Sequence, residues 1–378
     1  MISLCKECAS RFEKEWRSSA ELCQSSPQRC GFPIGECSIC GGKMAKMGEL
    51  AEKGALLVGG DWDSFSVSTT IPTKVLAAEE KAFDYSPGES IKTFANRYFS
   101  EKVAAISGRK YAPSGGDGRI MFDFRSFTAR REVEPLLFFG RYKKLKEGLS
   151  QTKWDCRKCG GRGCERCGGE GRMYRSVEEI IGEPFVKRSG GSFCMHASGR
   201  EDVDVVNTAG RPFVLEISHP EARKLDLEEA RKDIAAGGEV EVSDLRKVGR
   251  GDVELIADSH FPKTYRAWIE VEGGATKENL KRISGFSEML KQQTPNRVMH
   301  RRADKIRERH AKVVKSGMDG ELIIADILAD AGTYIKELIG GDGGRTQPSF
   351  ASLLGKVCAC KRLAVVKIED DFLTLVLG

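Results

Sequence analysis

The chain has 378 residues, 40% hydrophobic and 31% charged, enough for two or three domains with cores of their own. No apolar run approaches the roughly 18 residues a membrane span needs, and the N-terminus Met1-Ile-Ser-Leu-Cys5 lacks a basic start followed by an apolar stretch, so neither a membrane helix nor a secretory signal is expected. A formal charge of +6, from 61 Lys and Arg against 55 Asp and Glu, permits a nucleic-acid partner without requiring one.

A chain with these features is expected in the cytoplasm. Eight of its 13 cysteines fall in C-x-x-C pairs, and in a reducing compartment that spacing points to thiolate metal sites rather than disulfides. None of the five histidines lies near the pairs, so any structural Zn²⁺ site should be all-sulfur. Within residues 1–48, Cys5, Cys8, Cys37 and Cys40 have the spacing of a zinc ribbon, four thiolates making one tetrahedron; Cys23 and Cys30 lack the two-residue spacing.

Residues 49–150 read as a compact α/β unit. Ala55–Val58, Phe65–Ile71 and Ile120–Phe124 have strand character, and Ile91, Phe94, Ala95, Tyr98, Val103 and Ile106 fall at helical spacing. The end of this segment carries Arg141, Lys143, Lys144 and Lys146, which on residues alone form a solvated basic loop or an RNA contact. Residues 151–180 hold two tandem copies of C-x-x-C-x-G-x-G, at Cys156, Cys159, Cys164 and Cys167. Four cysteines this close can share one zinc, making the segment a rigid linker between domains. DnaJ-type chaperones carry the same repeat, but they also need an H-P-D tripeptide, which is absent here.

Residues 181–378 are strand-rich. Phe213–Ile217, Thr264–Val271, Glu321–Ile327 and Val357–Leu377 read as strands, and Glu278–Leu290 and Tyr334–Ile339 as helices. Ile306–Val314 alternates and precedes Ser-Gly and Asp-Gly turns, which favours a hairpin strand. The expected class is α+β, with a mixed, largely antiparallel sheet in this domain. Outside the cysteine knuckle there is no phosphate-binding glycine pattern, so nucleotide-cofactor chemistry has no support.

The richest stretch is Ser198-Gly-Arg-Glu-Asp202-Val-Asp204-Val-Val-Asn-Thr-Ala-Gly-Arg-Pro-Phe213. Read locally, it is either a salt-bridged surface turn or a loop entering a strand that holds a carboxylate beside a guanidinium. Its G-R-E-D resembles the G-R-x-D element of pseudouridine synthases, and the longer run resembles the archaeal tRNA pseudouridine synthases that act on T-loop uridines 54 and 55. Lys263-Thr-Tyr265, Thr294-Pro-Asn-Arg297 through His300-Arg-Arg-Ala-Asp304, Gly332-Thr-Tyr-Ile-Lys-Glu337 and Gly341-Asp-Gly-Gly-Arg-Thr346 resemble further elements of that family, in its order. The first cysteine pair, Phe139–Lys144 and the cysteine knuckle that follows match as well. One departure is Val206-Asn-Thr-Ala209, where the family carries a basic residue.

The resemblance implies a THUMP-type RNA-binding domain at 49–150 and a pseudouridine synthase domain at 181–378, forming a tRNA-modifying enzyme with structural zinc and no catalytic cofactor; a monomer is expected. It implies Asp202 as the nucleophile, with Arg200 close by and Lys336 or Arg345 as its cationic partner. In a strand, Asp202 and Asp204 would point to the same side, so position in the motif selects Asp202. Tyr265 and Tyr334, which on residues alone read as core tyrosines, become candidates to hold the flipped base. The basic run Arg297, Arg301, Arg302, Lys305, Arg307, Arg309, Lys312 and Lys315, with Arg141, Lys143 and Lys144, is expected to meet phosphates. The competing class is a non-catalytic zinc-containing RNA-binding or DnaJ-like protein, which would have no use for G-R-E-D.

Overall fold

The computed structural model describes residues 4–11, 37–83, 88–114, 116–371 and 373. Cys23 and Cys30 therefore lie outside the described residues. Contacts divide the chain into two units, one of residues up to 135 with 219–224, the other of 136–218 with the chain from 225 onward.

In the first unit β1 (Ser64–Thr70) pairs in parallel with β2 (Lys110–Tyr111) and β3 (Gly118–Asp123), and β3 turns back into β4 (Thr128–Val133). The sheet order is β2-β1-β3-β4. The parallel crossover contains the helix Ile91–Ser107, capped by the Ser90 hydroxyl, which accepts from Thr93 N, and ended by Gly108 at φ +69°. Ile91, Ala95, Phe99 and Val103 form its buried stripe. Phe99 stacks on Phe122 with ring centroids 3.8 Å apart, and Phe65 and Phe124 complete the core around them. The strand expected at Ala55–Val58 is not formed. Met47, Leu50, Ala51 and Ala55 are one buried helical stripe of Met47–Ala55, and residues 56–58 are turn and bend.

The second unit is built on a ten-stranded sheet. Its strands are β5 (Leu136–Lys144), β6 (Ser192–Ala197), β7 (Val205–Ser218), β8 (Val240–Lys247), β9 (Lys263–Val271), β10 (Ser287–Gln293), β11 (Ile306–Asp319), β12 (Leu322–Ala329), β13 (Thr346–Gln347) and β14 (Cys358–Ile368). The order is β13-β10-β11-β12-β9-β14-β7-β5-β8, with β6 also on β7. Every pairing is antiparallel except β14 with β7, where Leu363, Ala364 and Val365 face Val205, Val206 and Asn207. Helices Lys277–Ser284, Ile335–Gly340 and Phe350–Leu354 pack on one half around Ile269, Ile327, Leu338 and Phe350. Helices Val177–Ser189 and Leu227–Ala235 cover the other half around Leu136, Phe185 and Leu215. β5 is apolar on both faces because Leu137 and Phe139 pack on its reverse side against Ile256.

The α+β class and the mixed, largely antiparallel sheet are as expected, with three further local corrections. The helix expected over Glu278–Leu290 stops at Ser284, capped by Gly285, and Ser287–Gln293 leaves it to pair with β11 and β13. The C-terminal strand ends at Ile368; of the expected stretch to Leu377, residues 374–377 lie outside the described set. β5 and the cysteine knuckle lie in the second unit, so the knuckle is an excursion within it, between β5 and Val177–Ser189, and does not bridge two units.

Candidate active site and cysteine clusters

The loop from β6 into β7 is pinned from beneath. Gly199 holds φ +73°, and an added Cβ there would lie 3.3 Å from Arg211 Nη1. The next residue but one, Glu201, is buried with Arg211. The Arg211 Nε lies 2.7 Å from Glu201 Oε2 but off the hydrogen-bond axis, while its Nη1 donates to Ser198 O at 2.7 Å. The Tyr142 hydroxyl donates to Glu201 Oε1 at 2.9 Å and accepts from Gln151 Nε2, which also donates to Gly199 O. Lys144 completes the mount. Fully buried, it donates from Nζ to Leu149 O, Asp202 O and Val203 O at 3.0, 2.9 and 3.2 Å. Burial pushes its pKa down.

On this mount the Asp202 side chain turns outward. Its Oδ2 accepts from Arg297 Nη1 at 2.6 Å, and the same guanidinium donates from Nε to Glu337 Oε1 at 2.7 Å. Glu337 is buried, so one arginine joins a fixed carboxylate to a half-exposed one. Asp204 is held separately. Lys336 Nζ contacts both its oxygens, at 2.7 and 2.6 Å. Desolvation would raise the Asp204 carboxyl, but the Lys336 bonds outweigh it and hold it below its ordinary value. Residues 203 and 204 are in a turn before β7, so the two aspartates do not alternate along a strand. The expected pairing of Asp202 with Lys336 or Arg345 is corrected: its partner is Arg297.

Asp202 opens on a cleft of about 500 Å³ within the second unit. Arg200, Lys263, Tyr265, Tyr334, Lys336 and Arg302 line it with Arg297. The Tyr334 backbone is locked by the Gln292 amide, which donates to its carbonyl and accepts from its N–H. Burial pushes the Tyr265 hydroxyl pKa up. Lys263 is 6% exposed, donates to Phe261 O at 2.8 Å, and is pushed down to about 8 by burial, with Arg211 adding to the effect. Among the described residues, Arg200 and Arg302 have no ion-pair partner, and both are exposed.

Other expected site residues lie elsewhere. Arg345 is no part of the cleft: it clamps Thr294 O and Asp304, tying the residues around Asn296–Arg301 together. Lys144 is buried beneath the loop and has no access to a phosphate. Arg141 is mostly covered and paired with Asp370 at 2.5 Å, whereas Lys143 is half-exposed opposite Glu241. Arg301 falls in the short helical turn Asn296–Arg301. Lys263, Arg297 and Glu337 all fall in family-like elements of the sequence, but Lys263 and Glu337 were given no place in the site and Arg297 was placed among the phosphate contacts. The T-P-x-R and K-E spacings were the available signals.

The eight paired cysteines form two groups, Cys5, Cys8, Cys37 and Cys40, and Cys156, Cys159, Cys164 and Cys167, the sulfurs of each within 4.8 Å of one another. The sulfurs lie 3.6 Å apart for Cys5–Cys40 and 3.9, 3.9 and 3.8 Å apart for Cys156–Cys164, Cys159–Cys167 and Cys164–Cys167. A disulfide needs about 2.05 Å. Four thiolates at about 2.3 Å from a tetrahedral ion stand roughly 3.8 Å apart, which these separations match. Cys8 N donates to Cys5 Sγ, and Gly163 N and Gly171 N donate to Cys159 Sγ and Cys167 Sγ, the N–H···S bonds of metal knuckles. Both groups could hold a metal ion.

Residues 137–369 match the profile of the family described as Pus10, C-terminal. The chain is 37% identical over 373 residues to the tRNA pseudouridine synthase Pus10 of Methanothrix thermoacetophila, covering 93% of this chain and 81% of that one. It is 41% identical over 346 residues to the protein of the same name from Methanocaldococcus jannaschii, covering 89% and 76%. A solved Cbf5-Nop10-Gar1 complex matches 60% of this chain and 48% of its own at 14% identity, with a TM-score of 0.31, too low to compare folds.

Proposed function

The chain belongs to the Pus10 family of tRNA pseudouridine synthases, and from that membership we propose that it isomerises uridines 54 and 55 of the tRNA T-loop, with Asp202 as the nucleophile. The observation that carries this reading is the Asp202–Arg297 pair at the mouth of the cleft, mounted on the buried Glu201, Arg211 and Lys144. Pseudouridine formation breaks the bond from C1′ to N1, turns the uracil and joins C1′ to C5. N1 gains a proton and C5 loses one, so the product keeps every atom of the substrate. The step needs one carboxylate that is ionised at neutral pH and fixed in direction. A guanidinium held by Glu337 supplies that direction.

The cleft supplies the remaining requirements. A uridine in a loop must leave its stack and rest against an aromatic face, which Tyr265 or Tyr334 offers. Arg200 and Arg302, exposed and without carboxylate partners among the described residues, suit the phosphates flanking the flipped base. The first unit is read as a THUMP-type domain that grips the tRNA elsewhere. The two cysteine groups are read as Zn²⁺ sites, in which the ion would fix local folding.

Purified protein incubated with an unmodified tRNA transcript should convert both T-loop uridines, as read by pseudouridine mapping at single-nucleotide resolution. Conversion at one position only would narrow the substrate assignment. No pseudouridine in any tRNA would remove the enzymatic reading.

A further inference from the structure

Residues 152–175 form an excursion within the second unit. Bridges between Ser150 and Ser176 and between Asp155 and Arg172 close its stem. Apart from the cysteine group, it adds no side chain to the hydrophobic cores. Its interior is backbone: a Cβ on Gly163 would fall 2.5 Å from Gly169 O, and one on Gly171 would fall 2.2 Å from Gly161 O. The two knuckles therefore owe their shape to the four cysteines and the glycines packed between them, while Trp154 and Tyr174 pair at the stem. Packing does not account for its presence.

Charge does. The segment carries seven cations against three carboxylates. Cations at the stem are spoken for: Lys153 pairs with Asp155, Arg172 with Glu170 and Glu179, and Arg175 with Glu239. Those on the two knuckles are not. Arg157, Lys158, Arg162 and Arg166 are exposed and pair with no carboxylate among the described residues, Arg162 reaching only Cys159 O. The stem starts at the cleft itself, where Gln151 lines the wall and bonds Gly199 O. Five extended residues span at most about 17 Å, so the first knuckle cysteine lies within that reach of the cleft wall.

Resting on the tRNA-modifying reading above, we propose that this cysteine knuckle is an RNA-gripping arm of the second unit. Arg157, Lys158, Arg162 and Arg166 would neutralise backbone phosphates of the tRNA whose uridine occupies the cleft. A rigid, cross-braced support suits the task, because four long side chains held by a fixed scaffold meet successive phosphates with little further ordering.

The test uses full-length protein with R157Q, K158Q, R162Q and R166Q combined, beside the unsubstituted chain. Dissociation constants for an unmodified tRNA transcript are measured across a KCl series. The expected result is at least a tenfold weaker Kd near 150 mM salt and a log K against log [salt] slope shallower by about 2 to 4, near 0.9 per lost phosphate contact. KM should rise while the single-turnover rate at saturating tRNA stays within about twofold, and metal content and melting temperature should hold. Unchanged Kd and slope would overturn the proposal. So would loss of metal from the variant with binding restored on reloading, since the cations would then serve the thiolate cluster. Failure of the functional reading is seen separately, as absence of pseudouridine from the unsubstituted protein.

Discussion

Asp202 and Arg297 are 95 residues apart in the chain, yet the carboxylate of one and the guanidinium of the other meet at 2.6 Å. The arginine reaches Asp202 already anchored, since its Nε is held by the buried Glu337. Arg297→Met should lower the single-turnover rate by about 100- to 1000-fold, the usual scale for losing a preorganised charge partner. It should also destabilise the second unit by about 1–3 kcal/mol, because Glu337 is left buried without its donor. Arg297→Lys should recover little, since one ammonium cannot fork between two carboxylates. A lysine variant with full rate and full stability in urea would show the pairing to be incidental.

Two aspartates compete for the chemical role, and their partners separate them. Asp204 is more exposed than Asp202 and closed by Lys336, whereas Asp202 faces the cleft. Asp202→Asn should abolish pseudouridine formation while keeping tRNA binding and fold, because the amide preserves shape but not charge. Asp204→Asn should keep measurable turnover. The reverse pattern in a pseudouridine assay would move the nucleophile to Asp204.

The site was legible as a set of motifs and not as a geometry. G-R-E-D, K-x-Y and G-T-Y-I-K-E marked residues that converge on one cleft, but no local pattern says which cation faces which carboxylate across 95 or 132 positions. Lys336 or Arg345 was therefore the partner expected on paper, and Arg297 was not. Strands with one buried face and the helix around Ile91–Ile106 were readable because their apolar period was regular. Residues 287–293 were not: Leu290 lies at a helical interval from Ile283 and Phe286, and only the ladder to β11 and β13 overrides that spacing. Lys144 was misread because a lysine in a basic cluster looks solvated until the carbonyls around it are known.

Those three carbonyls give Lys144 a testable part in positioning. Two belong to Asp202 and Val203, so removing the ammonium should loosen the loop that carries the carboxylate. Lys144→Met is expected to lower kcat by about tenfold or more with KM for tRNA nearly unchanged, and to cost about 1–3 kcal/mol in urea unfolding. A rise in KM with kcat intact would instead mark Lys144 as a tRNA contact, in conflict with its burial.

Metal content should follow the two sulfur groups. Elemental analysis of protein purified without chelators should give two zinc per chain, falling to one in Cys37→Ser or Cys156→Ser. Cys37→Ser should unfold the first unit more severely, because Cys8, Cys37 and Cys40 are part of its core. Chelation should reproduce both losses. Two zinc ions retained in either serine variant would exclude the assigned ligand sets.

Lys263 gives a pH dependence whose direction can be worked out. Burial, reinforced by Arg211, brings it down to about 8 from an ordinary 10.5. Between those values the unfolded chain holds a proton that the folded chain has already released. Stability therefore rises with pH across the window, and below about pH 8 folding carries the cost of keeping the buried ammonium charged. A separation of this size corresponds to about 3 kcal/mol. Lys263→Met removes the titration, so the stability difference between wild type and variant should shift toward wild type by that amount from pH 8 to 10.5. Other groups titrating in this range cancel in the difference where they do not contact Lys263. Urea unfolding of both proteins at half-unit pH steps reads this directly, and a difference independent of pH would show that Lys263 keeps its proton in the folded protein.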